Sequence, residues 1–262
     1  MMRGLDFNNY KAIYVDMDGV VVRSSQLING APESLSHLGD FGEVFILSNN
    51  STRSREKFAK NLEELGISLP PGSVINSAFV LARYLLEHDG TLDTFVVGEK
   101  GLGEELELMG HKIVEPGVAE AVAVGMDGNL SYEKLDGALS ALNSGAKFYA
   151  TNDDKTFPTP DGESPGAGAS VGAIRGMGFE PKKIVGKPSS VAADIAMEVA
   201  DTDNPGDCLV IGDRLETDIL MANRAGMDSV LVLTGVETRK SLEESDIEPT
   251  YVFEDLQQLV SI

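Results

Sequence analysis

Short apolar runs alternate with amphipathic stretches along the whole chain. Runs with the length and composition of buried strands are predicted at 11–15, 43–47, 74–75, 94–97, 121–124, 146–149, 208–211, 229–233 and 251–253. Apolar residues at helical spacing predict helices at 32–38, 53–65, 102–109, 132–144 and 217–225. Strands that alternate with helices favour an α/β fold with a largely parallel sheet.

The predicted elements fall into two groups, which indicates two domains. Residues 1–77 and 181–262 are expected to form one core, and 78–180 to form an α/β domain inserted into it. A cluster of turn-forming residues at 161–166 predicts a long loop within the insertion.

Composition narrows the class of partner. The 262 residues include 21 Lys and Arg against 42 Asp and Glu, a formal net charge of −21, while 42% hydrophobic content is typical of a globular protein. This acidity argues against nucleic acid or an anionic membrane as partners, since both need clustered basic residues. The single cysteine, Cys208, lies in an apolar run and is interpreted as a core residue. With no transmembrane or signal-like stretch, we expect a cytoplasmic protein.

Two carboxylates follow the first predicted strand. Asp16 and Asp18 come directly after the run at 11–15, and side chains at i and i+2 of an extended segment project from the same side. Such a pair offers hard oxygen ligands for Mg²⁺ and a carboxylate able to attack phosphorus. An Asp-Gly turn with a solvated Asp18 is the alternative explanation.

Two other groups of residues can donate hydrogen bonds. Ser48, Asn49 and Asn50 come after the run at 43–47 and can donate to phosphate oxygens, although a helix N-cap would use the same residue types. Lys187 can neutralise a phosphoryl group, the alternative being a solvated surface lysine.

Two more carboxylates follow the run at 208–211. Asp213 is placed to complete a metal site and Asp218 to position it, unless both simply mark an acidic helix start. Because open α/β sheets bind ligands beyond the carboxyl ends of their strands, these clusters are expected to meet.

Taken in order, these clusters resemble the motifs of the haloacid dehalogenase superfamily. The pattern is Asp16-x-Asp18, then Ser48, Lys187, and Gly212-Asp213 followed by Asp218. The resemblance extends to the NagD/p-nitrophenylphosphatase-like phosphatases and covers essentially the whole chain. Its further marks are Ser48-Asn49-Asn50-Ser51, Thr151-Asn152-Asp153-Asp154, Pro165-Gly166-Ala167-Gly168-Ala169 and Gly186-Lys187-Pro188.

The resemblance implies a doubly wound, Rossmann-like core with an inserted α/β cap, and a Mg²⁺-dependent phosphatase that works through an aspartyl-phosphate. It implies that Asp16 is the nucleophile, that Asp18 is the general acid and base, and that Ser48 and Lys187 bind the phosphate with Asn49 and Asn50 nearby. The implied metal ligands are Asp16, Asp213 and the backbone carbonyl of Asp18. Asp218 is implied to position these ligands without binding the metal itself.

Substrate selection is assigned by the same resemblance to the cap at 78–180. Asn152 and Asp154 are the candidate specificity residues there, although ordinary loop polarity explains them equally well.

Function classes other than a phosphatase remain open at this point. A phosphomutase or phosphotransferase of the same superfamily differs only in the acceptor of the phosphoryl group. A phosphoacceptor signalling module also uses an acidic Mg²⁺ pocket, but Asp18 and the large insertion argue against it. The expected partner is a small phosphorylated metabolite, such as a sugar phosphate, a nucleoside monophosphate or p-nitrophenyl phosphate. The sequence leaves the oligomeric state open, with a homodimer among the options.

Overall fold

The computed structural model describes residues 5–23, 26–159 and 162–261. Its contacts divide the chain into two compact units. The first unit takes in the described parts of Met1–Ser48, Ala59–Ile75 and Lys187–Ile262, and the second comprises Asn49–Phe58 and the described parts of Asn76–Gly186. The chain therefore passes from one unit to the other at four points, two of which adjoin Ser48 and Lys187.

Strands and helices alternate, as the hydrophobic pattern predicted. The strands are β1 (Ala12–Val15), β2 (Val22–Arg23), β3 (Gln26–Leu27), β4 (Glu43–Ser48), β5 (Val74–Asn76), β6 (Asp93–Val97), β7 (Lys112–Ile113), β8 (Ala121–Val124), β9 (Lys147–Ala150), β10 (Thr156–Thr159), β11 (Gly162–Pro165), β12 (Lys183–Ile184), β13 (Cys208–Gly212), β14 (Asp228–Val232) and β15 (Tyr251–Phe253). The helices are α1 (Ala31–Leu38), α2 (Arg55–Glu64), α3 (Ser77–Asp89), α4 (Lys100–Leu108), α5 (Tyr132–Asn143), α6 (Ala167–Gly176), α7 (Ser190–Val199), α8 (Leu220–Ala225), α9 (Arg239–Glu243) and α10 (Leu256–Val260).

The first unit is built on a six-stranded sheet in the order β15-β14-β13-β1-β4-β5. The central strand β1 pairs in parallel with both β13 and β4, and all four of its side chains are buried. Full burial of a parallel strand explains its continuous apolar run. The carboxyl ends of β1, β4 and β13 consequently lie at one edge of this sheet.

The second unit has its own five-stranded sheet, in the order β12-β9-β8-β6-β7, with every neighbouring pair parallel. Its buried core includes Val97, Val122, Phe148, Val171 and Ile174. Two parallel sheets with intervening helices confirm the predicted α/β class and the Rossmann-like core. No helix among the described residues is long and apolar enough to cross a membrane.

The strands predicted from apolar runs are confirmed within one residue at each end. Helices α3, α6, α7 and α9 were not predicted, and two predicted segments differ from the structure. The loop predicted at 161–166 is wrong, because Gly162–Pro165 pairs antiparallel with Thr156–Thr159 in a hairpin, while Asp161 lies outside the described residues. The helix predicted at 217–225 begins instead with a π-helical turn, Leu215–Ile219, that leads into α8.

Glu105 ties the start of α2 to α4 within the second unit. Its carboxylate is fully buried and accepts from the backbone N–H of Arg55 at 2.6 Å and from the Arg55 Nε at 3.1 Å. A buried charge of this kind is tolerated only because both partners are present. This contact ties the first turn of α2 to α4, which lies in the same unit.

We therefore expect Glu105→Ala to lower the free energy of unfolding by about 3 kcal/mol, because Arg55 loses its buried partner. Urea denaturation followed by circular dichroism measures this change. Glu107→Ala, at an exposed position of the same helix, is the matched control and should stay within about 0.5 kcal/mol of the parent. Equal effects of the two substitutions would contradict the role assigned to Glu105.

Candidate active site

Lys187 is a buried cation that bridges two carboxylates in the first unit. Its Nζ donates to Asp16 Oδ1 at 2.6 Å, to Asp218 Oδ1 at 2.5 Å and to the backbone carbonyl of Leu47 at 2.9 Å. Asp16 follows β1, and its N–H extends the pairing with β13 by donating to the carbonyl of Ile211 at 2.8 Å. The side chain of Lys187 is only 4% exposed, so its charge acts in a poorly hydrated setting.

Asp213 joins Asp16 and Asp218 to form an acidic triad. One carboxylate oxygen from each residue lies within 4.8 Å of the others, and the three side chains are largely or fully buried. Three carboxylates facing a single ammonium carry an excess negative charge, which fits a divalent cation with oxygen ligands. The residues present therefore suit the metal that the superfamily resemblance implied.

Burial and mutual repulsion perturb the titration of these groups. Burial raises the pKa of Asp16, an effect that Lys187 opposes and that Asp218 and Asp213 reinforce. Burial also raises the pKa of Asp213 to about 7, with Asp218 adding to the shift. Burial alone would lower the pKa of Lys187, but Asp16 and Asp218 outweigh it and the pKa is raised. Lys187 therefore stays protonated, but its single positive charge does not balance the three carboxyl groups of the triad.

A loop after β14 holds Asp213 in place, and sequence reasoning missed it. The backbone N–H of Val236 donates to Asp213 Oδ2 at 2.8 Å, and the Thr234 hydroxyl donates to the carbonyl of Gly19 at 2.5 Å. A Cβ at Gly235 would lie 1.8 Å from Asp213 Oδ2, and one at Gly19, whose φ is +86°, would lie 2.3 Å from it. The available signal was a Thr-Gly pair directly after a predicted strand of the same sheet.

The other first-unit candidates, Ser48 and Asp18, lie at or just after the carboxyl ends of β4 and β1. Ser48 is buried as the last residue of β4, directly after Leu47, whose carbonyl binds Lys187. Asp18 is exposed in a tight turn in which the N–H groups of Val21 and Val22 donate to the carbonyl of Met17.

The remaining candidates belong to the second unit. Asn49 Nδ2 donates to Asp154 Oδ2 at 3.0 Å, and Asn152 Nδ2 donates to the Asn49 carbonyl at 2.7 Å. The Oδ1 of Asn50 accepts from both the N–H and the hydroxyl of Thr52, at 2.9 Å and 2.7 Å. Asn49, Asn152 and Asp154 thus form one hydrogen-bonded group.

Comparison with known proteins identifies the family. Residues 13–112 match the model of the haloacid dehalogenase-like hydrolases, and 184–259 match a second model, described as HAD-hydrolase-like. The acid sugar phosphatase of Staphylococcus haemolyticus is 33% identical over 97% of this chain and 96% of its own length. The chain belongs to the haloacid dehalogenase-like hydrolases. It is a phosphatase of this family.

Solved structures of the family share the whole fold. The p-nitrophenyl phosphatase of Archaeoglobus fulgidus is 35% identical with a TM-score of 0.90, and the match covers 97% of this chain and 99% of that one. The 4-nitrophenylphosphatase of Thermotoga maritima is 29% identical with a TM-score of 0.92, over 98% of both chains. The predicted resemblance to the NagD/p-nitrophenylphosphatase-like phosphatases is confirmed.

The packing around Asp213 yields a test of the loop after β14. We expect Gly235→Ala to weaken the binding of a divalent cation, with Mg²⁺ as the probe, by about ten-fold to 100-fold, because the new methyl group displaces the carboxylate that it would overlap. Isothermal titration calorimetry of the two proteins measures the change. Gly72→Ala, where an added Cβ meets nothing within 4 Å, serves as control. Unchanged affinity in Gly235→Ala would contradict the proposed fit.

Proposed function

We propose that this phosphatase hydrolyses small phosphomonoesters, with sugar phosphates as the first class to test, in a Mg²⁺-dependent reaction through an aspartyl-phosphate on Asp16. The observation that carries the proposal is the buried Lys187, which holds Asp16 and Asp218 while Asp213 completes an acidic triad. The similarity to a protein named acid sugar phosphatase supports the choice of substrate class. The role of 78–180 as a specificity-selecting cap stays a prediction.

The triad supplies the groups that would hold the metal. Asp16 and Asp213 are the proposed carboxylate ligands, the carbonyl of Asp18 is the proposed third group, and Asp218 orients the set through Lys187. When bound, Mg²⁺ adds the positive charge that offsets repulsion between a carboxylate and a phosphate dianion.

In the first step, a carboxylate oxygen of Asp16 forms a bond to phosphorus as the ester P–O bond breaks. The protonated carboxyl of Asp18 gives its proton to the leaving alcohol oxygen. Ser48 donates a hydrogen bond to a phosphoryl oxygen. Lys187, whose three N–H donors serve Asp16, Asp218 and the Leu47 carbonyl, stabilises the negative charge on the phosphoryl oxygens through its own positive charge. Lys187 already contacts Asp16, which keeps the nucleophilic oxygen oriented.

In the second step, Asp18, now a carboxylate, takes a proton from water. The water oxygen forms a bond to phosphorus, and the bond between phosphorus and Asp16 breaks to release inorganic phosphate. The carboxyl of Asp18 is then protonated again, so one group serves both steps.

A panel of sugar phosphates tests the function. The wild-type chain should release phosphate in Mg²⁺, lose activity with EDTA and recover it when Mg²⁺ is restored. Asp16→Asn should reduce kcat by about 10⁴-fold or more, because it removes the nucleophile. Asp194→Asn, at an exposed position of α7, is the matched control and should keep wild-type activity. Full activity in folded, Mg²⁺-supplied Asp16→Asn would refute the proposal.

The role of Asp18 predicts a dependence on the leaving group. Asp18→Asn should lower kcat/KM for a sugar phosphate by about 100-fold or more, since the departing alcohol needs a proton. The loss should be much smaller for p-nitrophenyl phosphate, whose phenolate leaves without protonation. Steady-state kinetics with both substrates measures this difference. Equal losses would show that Asp18 does not act as the acid.

A further inference from the structure

Asn152 is buried two residues after the end of β9 and holds one backbone carbonyl in place. Its Nδ2 donates to the carbonyl of Asn49 at 2.7 Å, and the Ser77 hydroxyl donates to the same oxygen at 2.6 Å. Asn152 Oδ1 accepts from the N–H of Asp154 at 3.2 Å, which fixes the orientation of the amide. Asn152 and Ser77 are 3% and 1% exposed. Two buried donors therefore hold the Asn49 carbonyl in one direction.

The pinned carbonyl belongs to the peptide that joins Asn49 to Asn50. Because a trans peptide is planar, its N–H points away from its carbonyl, so the N–H of Asn50 is oriented as well. Asn152 thus sets the direction of the main chain that immediately follows Ser48.

The chain that leads to Lys187 packs against the same group. The N–H of Gly186 donates to the carbonyl of Thr151 at 2.6 Å. A Cβ at Gly186 would lie 2.6 Å from Asn49 Oδ1 and 3.0 Å from the Cβ of Asn152. Only glycine leaves room for this approach, so the residue before Lys187 lies close against the side chain that also anchors Asn49.

The hydrogen-bonding capacity of Asn152 is used inside the second unit. Its Nδ2 lies within 3.4 Å of Ser77 Oγ and 3.3 Å of Thr151 Oγ1, in addition to the Asn49 carbonyl. These contacts favour an internal role over direct recognition of a substrate.

We propose that Asn152 is a positioning residue, which aligns the backbone next to Ser48 and Lys187 for phosphate binding. The proposal rests on the function proposed above, in which Ser48 and Lys187 bind the phosphoryl group. It leaves the acidic triad untouched, because Asp16, Asp213 and Asp218 are held by first-unit contacts of their own.

Asn152→Asp tests this directly, since it keeps the size of the side chain and replaces the donor with an oxygen that repels the Asn49 carbonyl. We expect orthophosphate, titrated calorimetrically in the presence of Mg²⁺, to bind at least about ten-fold more weakly. The Mg²⁺ dissociation constant should stay within about two-fold, because the cation ligands are positioned independently. The KM for a sugar phosphate should rise with the phosphate dissociation constant.

Two further variants keep the test decisive if Asn152→Asp does not fold. Asn152→Ala and Ser77→Ala each remove one of the two donors to the Asn49 carbonyl and should show the same selective loss of phosphate binding, to a smaller extent. Asn129→Asp adds the same charge at an exposed position of the second unit and should bind both ligands normally.

Normal orthophosphate binding in the folded Asn152 variants would overturn the proposal, as would parallel losses of phosphate and Mg²⁺ affinity with a lower melting temperature. Failure of the wild-type chain to hydrolyse any phosphomonoester would instead refute the proposed function. The two failures are distinct because orthophosphate and Mg²⁺ binding are measured without turnover.

Discussion

The site depends on one buried ammonium shared between two carboxylates. Lys187 joins Asp16 at the end of β1, the carbonyl of Leu47 in β4 and Asp218 in the turn after β13, so a single side chain links three neighbouring strands of the first unit. Burying these charges is tolerable only because they are paired, and removing one partner of such a set costs about 3–5 kcal/mol. The same pairing orients Asp16 and keeps Lys187 charged. The stability of this edge and its chemistry therefore rest on the same contacts.

The chain carries a formal net charge of −21 and is expected to bind an anion. Its overall field repels such a substrate, so capture must rely on local positive charge and oriented donors. Lys187 supplies one charge, and the acidic triad provides oxygen ligands for a cation that would supply more. Most of the acidic residues contribute to the surface, whereas the few at the strand ends build the site.

The strands that consist of short, continuous apolar runs could be predicted from the sequence, and so could the polar residues that follow them. Asp16, Ser48 and Asp213 each follow a run of apolar residues, and parallel pairing brings their strands together. Helix α3 was not predicted because Ser77–Ala82 is buried on every side and shows no polar face. The contact between Asn152 and Asn49 was equally unpredictable, since it spans 103 residues and leaves no trace in the local pattern.

Formation of a phosphoryl-Asp16 intermediate is the central claim, and acid-quenched single-turnover mass spectrometry tests it most directly. The account predicts a phosphorylated peptide containing Asp16. When methanol is added to compete with water, the ratio of methyl phosphate to inorganic phosphate should be the same for substrates with different leaving groups. Both results follow from a common intermediate attacked in a second step. Turnover without the adduct, together with a product ratio that changes with the leaving group, would contradict the account.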